Sequence, residues 1–215
     1  LGNLPNPFES GIDVMDLFQE PRKLSTEWEN TTISQQKLSN MLWSTYGYSL
    51  LKTGHRTVPS AYGEYPFQIY LCNETGVYNY TAEPHSIYQT GFIDVRADVI
   101  RYANAPEYLE KAPALLVFCW NSRVGTHNAS DADSGGRFIN VGYGCCLQNL
   151  YLSSKILNIS ISAPFHIENY TGTHLPDIYP MYIIGLGETP HVLGDVNGDG
   201  VVNILDIAIV GKAYG

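Results

Sequence analysis

The sequence predicts an α+β domain followed by a short loop–helix module at the C-terminus. Helical patterns are interspersed among short, strand-like apolar runs of antiparallel character, which is typical of this fold class. A chain of 215 residues holds one domain of about 150 to 200 residues plus a small appendage. We therefore divide it into a main domain over residues 1–188, a linker over 189–193 and the module over 194–215, with 1–13 an irregular N-terminal extension.

The helices follow from the spacing of apolar residues. Ser34 is a favourable N-cap, and Leu38, Met41, Leu42 and Tyr46 after it recur on one helical face. Helices are therefore predicted over residues 14–18, 35–46, 94–103, 106–111 and 138–157. The last of these is apolar nearly all round, so we expect it to be central, with a polar loop over 122–136 before it.

The strands follow from short apolar runs bounded by turn residues. Strands are predicted over residues 66–72, 76–80, 86–89, 114–120, 159–162 and 181–185. The run 114–120 is entered through Pro113 and has the character of a strand buried on both faces. Cys72 and Cys119 could form a disulfide if their strands are neighbours; alternatively the four cysteines are small buried hydrophobic residues.

Composition argues against nucleic-acid binding and against a membrane-spanning segment. The net charge is -9 and there is no basic patch, whereas nucleic-acid binding needs clustered Lys and Arg. No apolar run approaches the roughly 20 residues of a membrane span. The sequence does not begin with Met and shows no secretory signal, so we expect it to start either after a processing point or at an artificially chosen boundary.

Asparagine motifs indicate the compartment. N-x-Ser/Thr sequons exceed the number expected by chance, and in an exported protein such sites carry glycans. We expect an extracellular or cell-surface glycoprotein modified at Asn30, Asn73, Asn79, Asn128 and Asn169. The sixth sequon, at Asn158, is expected to be accidental because it stands at a buried turn into a strand.

The segment 195–206 has the spacing of a twelve-residue EF-hand loop. Carboxylate, amide and carbonyl oxygens fall at the required positions, and Gly200 is at the sharp turn. The predicted Ca²⁺ ligands are Asp195, Asn197, Asp199, the carbonyl of Val201, Asn203 and Asp206. An Asp/Asn/Gly-rich turn without metal is the alternative.

This loop, with Asp rather than Glu at its last position and a helix over 207–214, resembles one dockerin type I repeat. Dockerins carry two such repeats and bind a cohesin domain, so the resemblance implies a protein partner. The apolar residues of the helix are too many for a free tail. We therefore expect the module to pack against a second repeat, a cohesin-like domain or another copy of this chain, giving an oligomer.

Segments of the main domain resemble the nitroreductase superfamily, in its azoline-oxidising (SagB/ThcOx-type) dehydrogenase branch. The matching segments are Leu38–Trp43, Arg56–Ala61, Tyr65–Pro66, Gly76–Tyr80, Gln148–Leu152 and Tyr179–Gly187. The resemblance covers about residues 14–188. It implies a central antiparallel sheet flanked by helices, with residues 67–72 beside 114–120, and a dimer that binds FMN at the subunit interface.

The resemblance also implies cofactor-binding residues. Arg22 and Lys23 match basic positions of a turn that grips the FMN phosphate, while Leu24 and Thr26 replace the family's Ser and second basic residue. The next flavin-contacting turn is matched by Arg56, Pro59, Ser60 and Ala61. For each of these residues a structural role stands beside the cofactor role: surface charge for Arg22 and Lys23, a local carboxylate partner for Arg56, turn formation for Ser60.

Further departures weaken the implied site. Gly142 and Cys145 fall where the dehydrogenase branch tends to carry Glu and His, and Glu188 stands where a basic residue often follows the last strand. Gln148 and Asn149 either contact the cofactor or form hydrogen bonds with buried backbone groups. No catalytic residue can be assigned from the sequence.

Two functions follow. The first is a calcium-binding surface protein that uses its nitroreductase-like domain as a scaffold and the dockerin-like module for attachment or self-assembly, with little or no FMN. The alternative is a secreted FMN-dependent oxidoreductase anchored through the module. An extracellular setting without a nicotinamide pool favours the first.

Overall fold

The structure is a computed structural model that describes residues 2–7, 14–19, 24–49, 54–124, 132–167, 178–190, 194–196 and 202–214. Its helices are α1 (Val14–Gln19), α2 (Gln35–Tyr46), α3 (Arg96–Tyr102), α4 (Ala132–Leu157) and α5 (Ile204–Tyr214). Its strands are β1 (Gly2–Asn3), β2 (Phe67–Asn73), β3 (Gly76–Thr81), β4 (Ser86–Gly91), β5 (Ala114–Asn121), β6 (Ile159–Ile161), β7 (Phe165–His166) and β8 (Ile178–Glu188). Short 3₁₀ turns cover Ala61–Gly63 and Glu107–Lys111.

All the described strands join one antiparallel sheet in the order β1-β4-β3-β2-β5-β8-β6, with β7 also paired to β8. The predicted adjacency of β2 and β5 is confirmed, with Ile69 opposite Phe118. On its other side β5 pairs with β8, placing Leu116 opposite Ile184.

Side chains alternate between two cores, one on each face of the sheet, because successive strand residues point to opposite faces. One core joins Ile69, Leu116 and Ile184 to the apolar faces of α2 and α4. The other joins Leu115, Val117 and Ile183 to α3 and the 3₁₀ turn before β5. The sheet is therefore covered by helices on both faces, as the α+β prediction requires.

Helix α2 begins and ends as predicted. Ser34 is its N-cap, and the Ser34 hydroxyl accepts a hydrogen bond from the backbone N–H of Lys37 at 3.3 Å. At the other end the N–H of Gly47 donates to the Trp43 carbonyl, and a Cβ at Gly47 would lie 2.6 Å from that carbonyl oxygen. The chain leaves α2 through a position that requires glycine.

Several predicted boundaries are wrong. Helix α4 begins at Ala132 rather than 138, because residues 132–137 are small or polar and give no apolar period in the sequence. Strand β8 begins at Ile178 rather than 181, and α5 begins at Ile204 rather than 207. The two-residue strands β1 and β7 carry no sequence signal, since two residues cannot show an alternation.

The proposed Cys72–Cys119 disulfide is also wrong. Cys72 pairs with Leu115 and Cys119 pairs with Gln68, so the two cysteines are offset by four residues along neighbouring strands. At about 3.3 Å per residue this places them far beyond disulfide reach. All four cysteines are free thiols, and burial raises the pKa of Cys72 to about 12. They behave as the small hydrophobic residues of the alternative.

Helix α4 is central over only part of its length. Cys146 and Leu150 are fully buried against the sheet, whereas Phe138 is 49% exposed and Val141 is 64% exposed. Within the described ranges no helix is both long enough and apolar enough to cross a membrane.

Candidate functional site

The chain after α2 forms a turn around Arg56. Tyr48 and Arg56 are bridge partners, and the N–H of Thr57 donates to the Gly47 carbonyl at 2.9 Å. Asn149 of α4 fixes this turn from the helix side, because its side-chain N–H donates to the carbonyls of Ser44 at 2.9 Å and Thr57 at 3.2 Å. Asn149 therefore satisfies backbone groups, the second of the two roles expected for it.

Arg56 lies in a cage of tyrosine rings. Its guanidinium carbon is 4.1 Å from the ring centre of Tyr46, 5.0 Å from that of Tyr48 and 5.5 Å from that of Tyr65. Nη1 donates to the Tyr46 carbonyl at 2.8 Å. Among the described ion pairs none involves Arg56, so the carboxylate partner considered from the sequence is not found there.

One donor of Arg56 stays without an acceptor. Its Nε atom is buried and makes no hydrogen bond, an uncommon state for a buried charged group. Its positive charge also acts on the groups around it: burial raises the pKa of Tyr46 and the Arg56 charge opposes that rise. Arg56 thus brings an uncompensated cation and a spare donor to this part of the domain.

The turn after Arg56 has an unusual backbone. Tyr62, Gly63 and Tyr65 have φ values of +56°, +70° and +50°. The Ser60 hydroxyl accepts from the Tyr65 N–H at 3.0 Å, and the Ser60 carbonyl accepts from the Gly63 N–H at 3.1 Å. Ser60 therefore has the turn-forming role, while its own hydroxyl proton is not used in that bond. Pro59 is exposed and Ala61 is half-buried beside it.

The branch-specific positions on α4 do not carry acid–base groups. Gly142 is buried, and a Cβ there would lie 3.0 Å from the Phe67 ring, so Phe67 fills the space in which a longer side chain would begin. Cys145 is half-buried on the next turn of the helix. In between, the Tyr143 ring stacks on Tyr182 with centres 4.0 Å apart.

The segment that precedes α2 lies beside β6 and the end of β8. The N–H of Ser25 donates to the Ile161 carbonyl, and that of Glu29 to the Glu188 carbonyl. The Lys37 ammonium pairs with the Glu188 carboxylate, so the acid that replaces the family's basic residue is neutralised within the chain. Arg22 and Lys23, the predicted phosphate ligands, lie outside the described residues.

These residues fit FMN in one part of the site. The buried Nε of Arg56 lacks an acceptor beside the turn that holds Ser60 and Ala61, and a flavin carbonyl or ribityl oxygen is an acceptor of the required kind. The residues predicted for the phosphate end, Arg22 and Lys23, lie outside the described residues.

A separate cleft of about 570 Å³ opens where β2 ends and β5 begins. Trp28, Leu38, Leu71 and Arg96 are among its lining residues. That guanidinium is engaged with the Asp94 carboxylate and with the carbonyls of Ala112 and Pro113. Of the predicted cofactor residues that the structure describes (Arg56, Pro59, Ser60 and Ala61), none lines this cleft.

The predicted calcium loop is described in part. Asn197, Asp199 and Val201 lie outside the described residues, and the described residues contain no group of three acidic, His or Cys side chains suited to a metal. Asp206 is 2% exposed, and its carboxylate oxygens accept from the N–H groups of Val196 and Asn203, each at 2.8 Å. The two ends of the loop are therefore joined through Asp206.

The sequons differ in accessibility. Asn30 is exposed and Asn73 is half-buried, whereas Asn128 and Asn169 lie outside the described residues. Asn79 is 6% exposed and its side-chain nitrogen donates to the Tyr88 hydroxyl, a setting that disfavours a glycan. Glycosylation at Asn79 stays a prediction. Asn158, whose turn was expected to be buried, is exposed.

Comparison with known proteins identifies the fold. A protein of Methanocaldococcus jannaschii assigned as a nitroreductase (MJ1384) is 29% identical over 144 residues, 64% of this chain and 71% of its own length. A crystal structure from Ralstonia eutropha JMP134, also assigned as a nitroreductase, matches with a TM-score of 0.76 and 23% identity over 88% of this chain and 90% of that one. No protein-family profile matches the sequence.

A chain of the Escherichia coli microcin synthetase McbBCD complex has a TM-score of 0.67 and 17% identity over 86% of this chain and 76% of its own. The protein described here thus has a nitroreductase-like α+β fold, an antiparallel sheet flanked by helices, as the resemblance implied.

Proposed function

We propose that this chain is an FMN-dependent oxidoreductase of the nitroreductase type, the alternative of the two functions derived from the sequence. The main support is the nitroreductase-like fold over 88% of the chain, together with the spare buried donor of Arg56 at the turn that matches the flavin-contacting segment. A relative assigned as a nitroreductase agrees with this proposal.

The roles of the residues follow from their positions. Arg22 and Lys23 would hold the phosphate, and Arg56, Pro59, Ser60 and Ala61 would line the ring and its chain. Bound FMN would supply hydride and electron transfer, while the protein supplies binding, orientation and charge. Arg56 would hold a positive charge beside a ring that becomes electron-rich when reduced, and its tyrosine cage would keep water from that charge.

The azoline-oxidising branch is not favoured by the residues on α4. Gly142 and Cys145 oppose it, because neither offers the carboxyl or imidazole group of that branch. We therefore propose electron transfer to an organic acceptor without a proton-transferring residue at these two positions.

The test is reconstitution. The purified chain is incubated with excess FMN and passed through a desalting column, and the bound flavin is measured by absorption. We expect about one FMN per chain, and we expect Arg56→Met to retain much less. A matched control is Arg101→Met, since Arg101 is 73% exposed on α3. A wild-type chain that elutes without flavin would refute the proposal.

A second proposal concerns the module at the C-terminus, which we propose binds Ca²⁺ and attaches the domain to a protein partner. The closure of loop 195–206 through the buried Asp206 supports this. So does the apolar surface that α5 exposes: Ile204 is 72% exposed, Leu205 57% and Ile207 66%. A helix with this exposed apolar surface is stabilised by packing on another protein surface. We expect that surface to belong to a cohesin-like domain, a second repeat or another copy of the chain.

Calorimetric titration with Ca²⁺ tests the loop. We expect Asp195→Ala with Asp199→Ala to abolish binding, and Asp98→Ala, an exposed acid on α3, to leave it unchanged. Light scattering with and without a chelator then tests attachment between copies. Unchanged calcium affinity in the double variant would refute the loop assignment.

The extracellular or cell-surface location remains a proposal supported by the sequons. Asn30 and Asn158 are exposed and can carry glycans. The intact mass of natively produced protein tests whether the sequons are glycosylated. A mass equal to that of the bare chain would exclude glycosylation.

A further inference from the structure

Tyr62 stands in a conformation that tyrosine seldom adopts. Its φ is +56° and its ψ is 8°, in the left-handed region where a side chain at Cβ crowds the backbone. Gly63 follows at +70°, so the turn already has one residue suited to this region. A glycine at position 62 would relieve the strain, and the ring at this position therefore calls for a separate reason.

The Tyr62 ring contributes little to the core. It is 70% exposed, and it meets the Phe138 ring of α4 edge to face, with centres 5.9 Å apart and planes at 82°. Phe138 is itself 49% exposed. The two rings form an aromatic corner, one from the turn and one from the helix, with ring surface open to solvent.

This aromatic corner adjoins the turn assigned to the cofactor. Tyr62 directly follows Ser60 and Ala61, and Phe138 lies one helical turn before Gly142 on α4. A flat ring bound there would stack on an aromatic surface, an arrangement that stabilises aromatic pairs.

We propose that Tyr62, held by Phe138, is a specificity-determining residue that forms the aromatic wall of the acceptor site and selects flat aromatic acceptors. This proposal rests on the proposed oxidoreductase function. The strained backbone is retained because it carries the ring out of the fold and beside the cofactor turn, where a glycine would leave the wall absent.

The test compares two acceptors on the FMN-loaded protein after reduction with dithionite, so that no nicotinamide is needed. Menadione is a flat aromatic quinone that takes two electrons and two protons; ferricyanide is not aromatic, and two ions take one electron each. Tyr62→Gly is expected to lower the oxidation rate by subsaturating menadione about three- to tenfold, the size of one aromatic stacking contact. The rate with ferricyanide should change less than twofold.

A second readout does not depend on turnover. Benzamide is a flat aromatic amide that accepts no electrons here, and its dissociation constant is measured by calorimetry. Tyr62→Gly and Phe138→Ala should each weaken its binding several-fold, and the double variant should be little worse than either single one, because the two rings act together. The melting temperature of the flavin-free Tyr62→Gly variant should not fall, whereas a purely structural role would lower it.

Tyr102→Ala is the control, since Tyr102 is an exposed tyrosine on α3, which packs on the opposite face of the sheet. A wild-type chain that takes up no FMN refutes both the proposed function and this inference. A wild-type chain that is reoxidised by menadione, with Tyr62→Gly showing the same rates and the same benzamide affinity, refutes the role of Tyr62 alone.

Discussion

Arg56 rests on Tyr46: its guanidinium carbon is 4.1 Å from the ring centre, and its Nη1 donates to the carbonyl of the same tyrosine at 2.8 Å. The Tyr46 hydroxyl in turn accepts from the Phe67 N–H at 3.0 Å. The last residue of α2 thus connects the first residue of β2 to the arginine of the proposed cofactor turn. This connection positions the turn before any ligand binds.

Replacing Arg56 by Lys keeps the charge but removes the planar stacking and the fixed geometry of the donors. We expect Arg56→Lys to lower the free energy of unfolding by about 1 to 2 kcal/mol, measured by urea denaturation of the flavin-free chain. Arg101→Lys, at an exposed ion pair, should change it by less than about 0.5 kcal/mol. Equal effects of the two substitutions would contradict the cage as a stabilising feature.

Asn149 joins α4 to two carbonyl groups of the turn region. Asn149→Leu leaves the carbonyls of Ser44 and Thr57 without this donor, and we expect a loss of about 1 to 3 kcal/mol. Asn140→Leu on the exposed face of the same helix is the control and should have little effect. The measurement is again urea denaturation, and a loss no greater than that of the control would argue against the bridge.

Two glycines of α4 form a matched pair. A Cβ at Gly144 meets nothing within 4 Å, so Gly144→Ala should stabilise the helix by about 0.5 to 1 kcal/mol. A Cβ at Gly142 would lie 3.0 Å from the Phe67 ring, so Gly142→Ala should be the less stable of the two variants. Thermal denaturation ranks them, and the reverse order would mean that Phe67 does not pack on Gly142.

His85 holds the N-terminal segment in place. Its Nε2 lies 2.8 Å from the Ser39 hydroxyl and its Nδ1 lies 2.9 Å from the Tyr80 hydroxyl. Ser39 donates its own proton to the Pro5 carbonyl, so Nε2 is the protonated nitrogen of a neutral ring and Nδ1 accepts from Tyr80. Burial lowers the pKa of His85.

Because folding lowers the pKa of His85, the folded state favours the neutral ring. The stability from this group is complete above the unfolded pKa of about 6.5 and is lost as the pH falls through the lower folded pKa. We expect wild type to lose stability as the pH falls below about 6.5, and His85→Gln to lose less over the same range. An unchanged slope in His85→Gln would exclude His85 as its source.

The sequence predicted the fold where the periodicity was strong. Helix α2 was predicted well because Ser34 is a local cap signal and the apolar residues after it recur on one helical face. The adjacency of β2 and β5 came from the resemblance, since pairing between distant strands leaves no local pattern. The start of α4 was misplaced because its first residues are small or polar and show no apolar period.

The candidate site was less predictable. Arg56 was named from a motif, but the three tyrosines around it belong to different segments, and only the fold brings them together. The left-handed conformation of Tyr62 could not be expected, because tyrosine ordinarily avoids it. The burial of Asn79 likewise depends on its pairing between β2 and β4, which a sequon does not reveal.

The central claim, that this domain is an FMN-dependent oxidoreductase, is tested most directly by the visible absorption spectrum of the chain after incubation with FMN and removal of unbound flavin. The account predicts a flavin band in the blue that corresponds to about one FMN per chain, is lost on reduction and returns when an organic acceptor is added. A colourless protein, folded by circular dichroism and yet free of flavin, would contradict it and would favour the scaffold function instead.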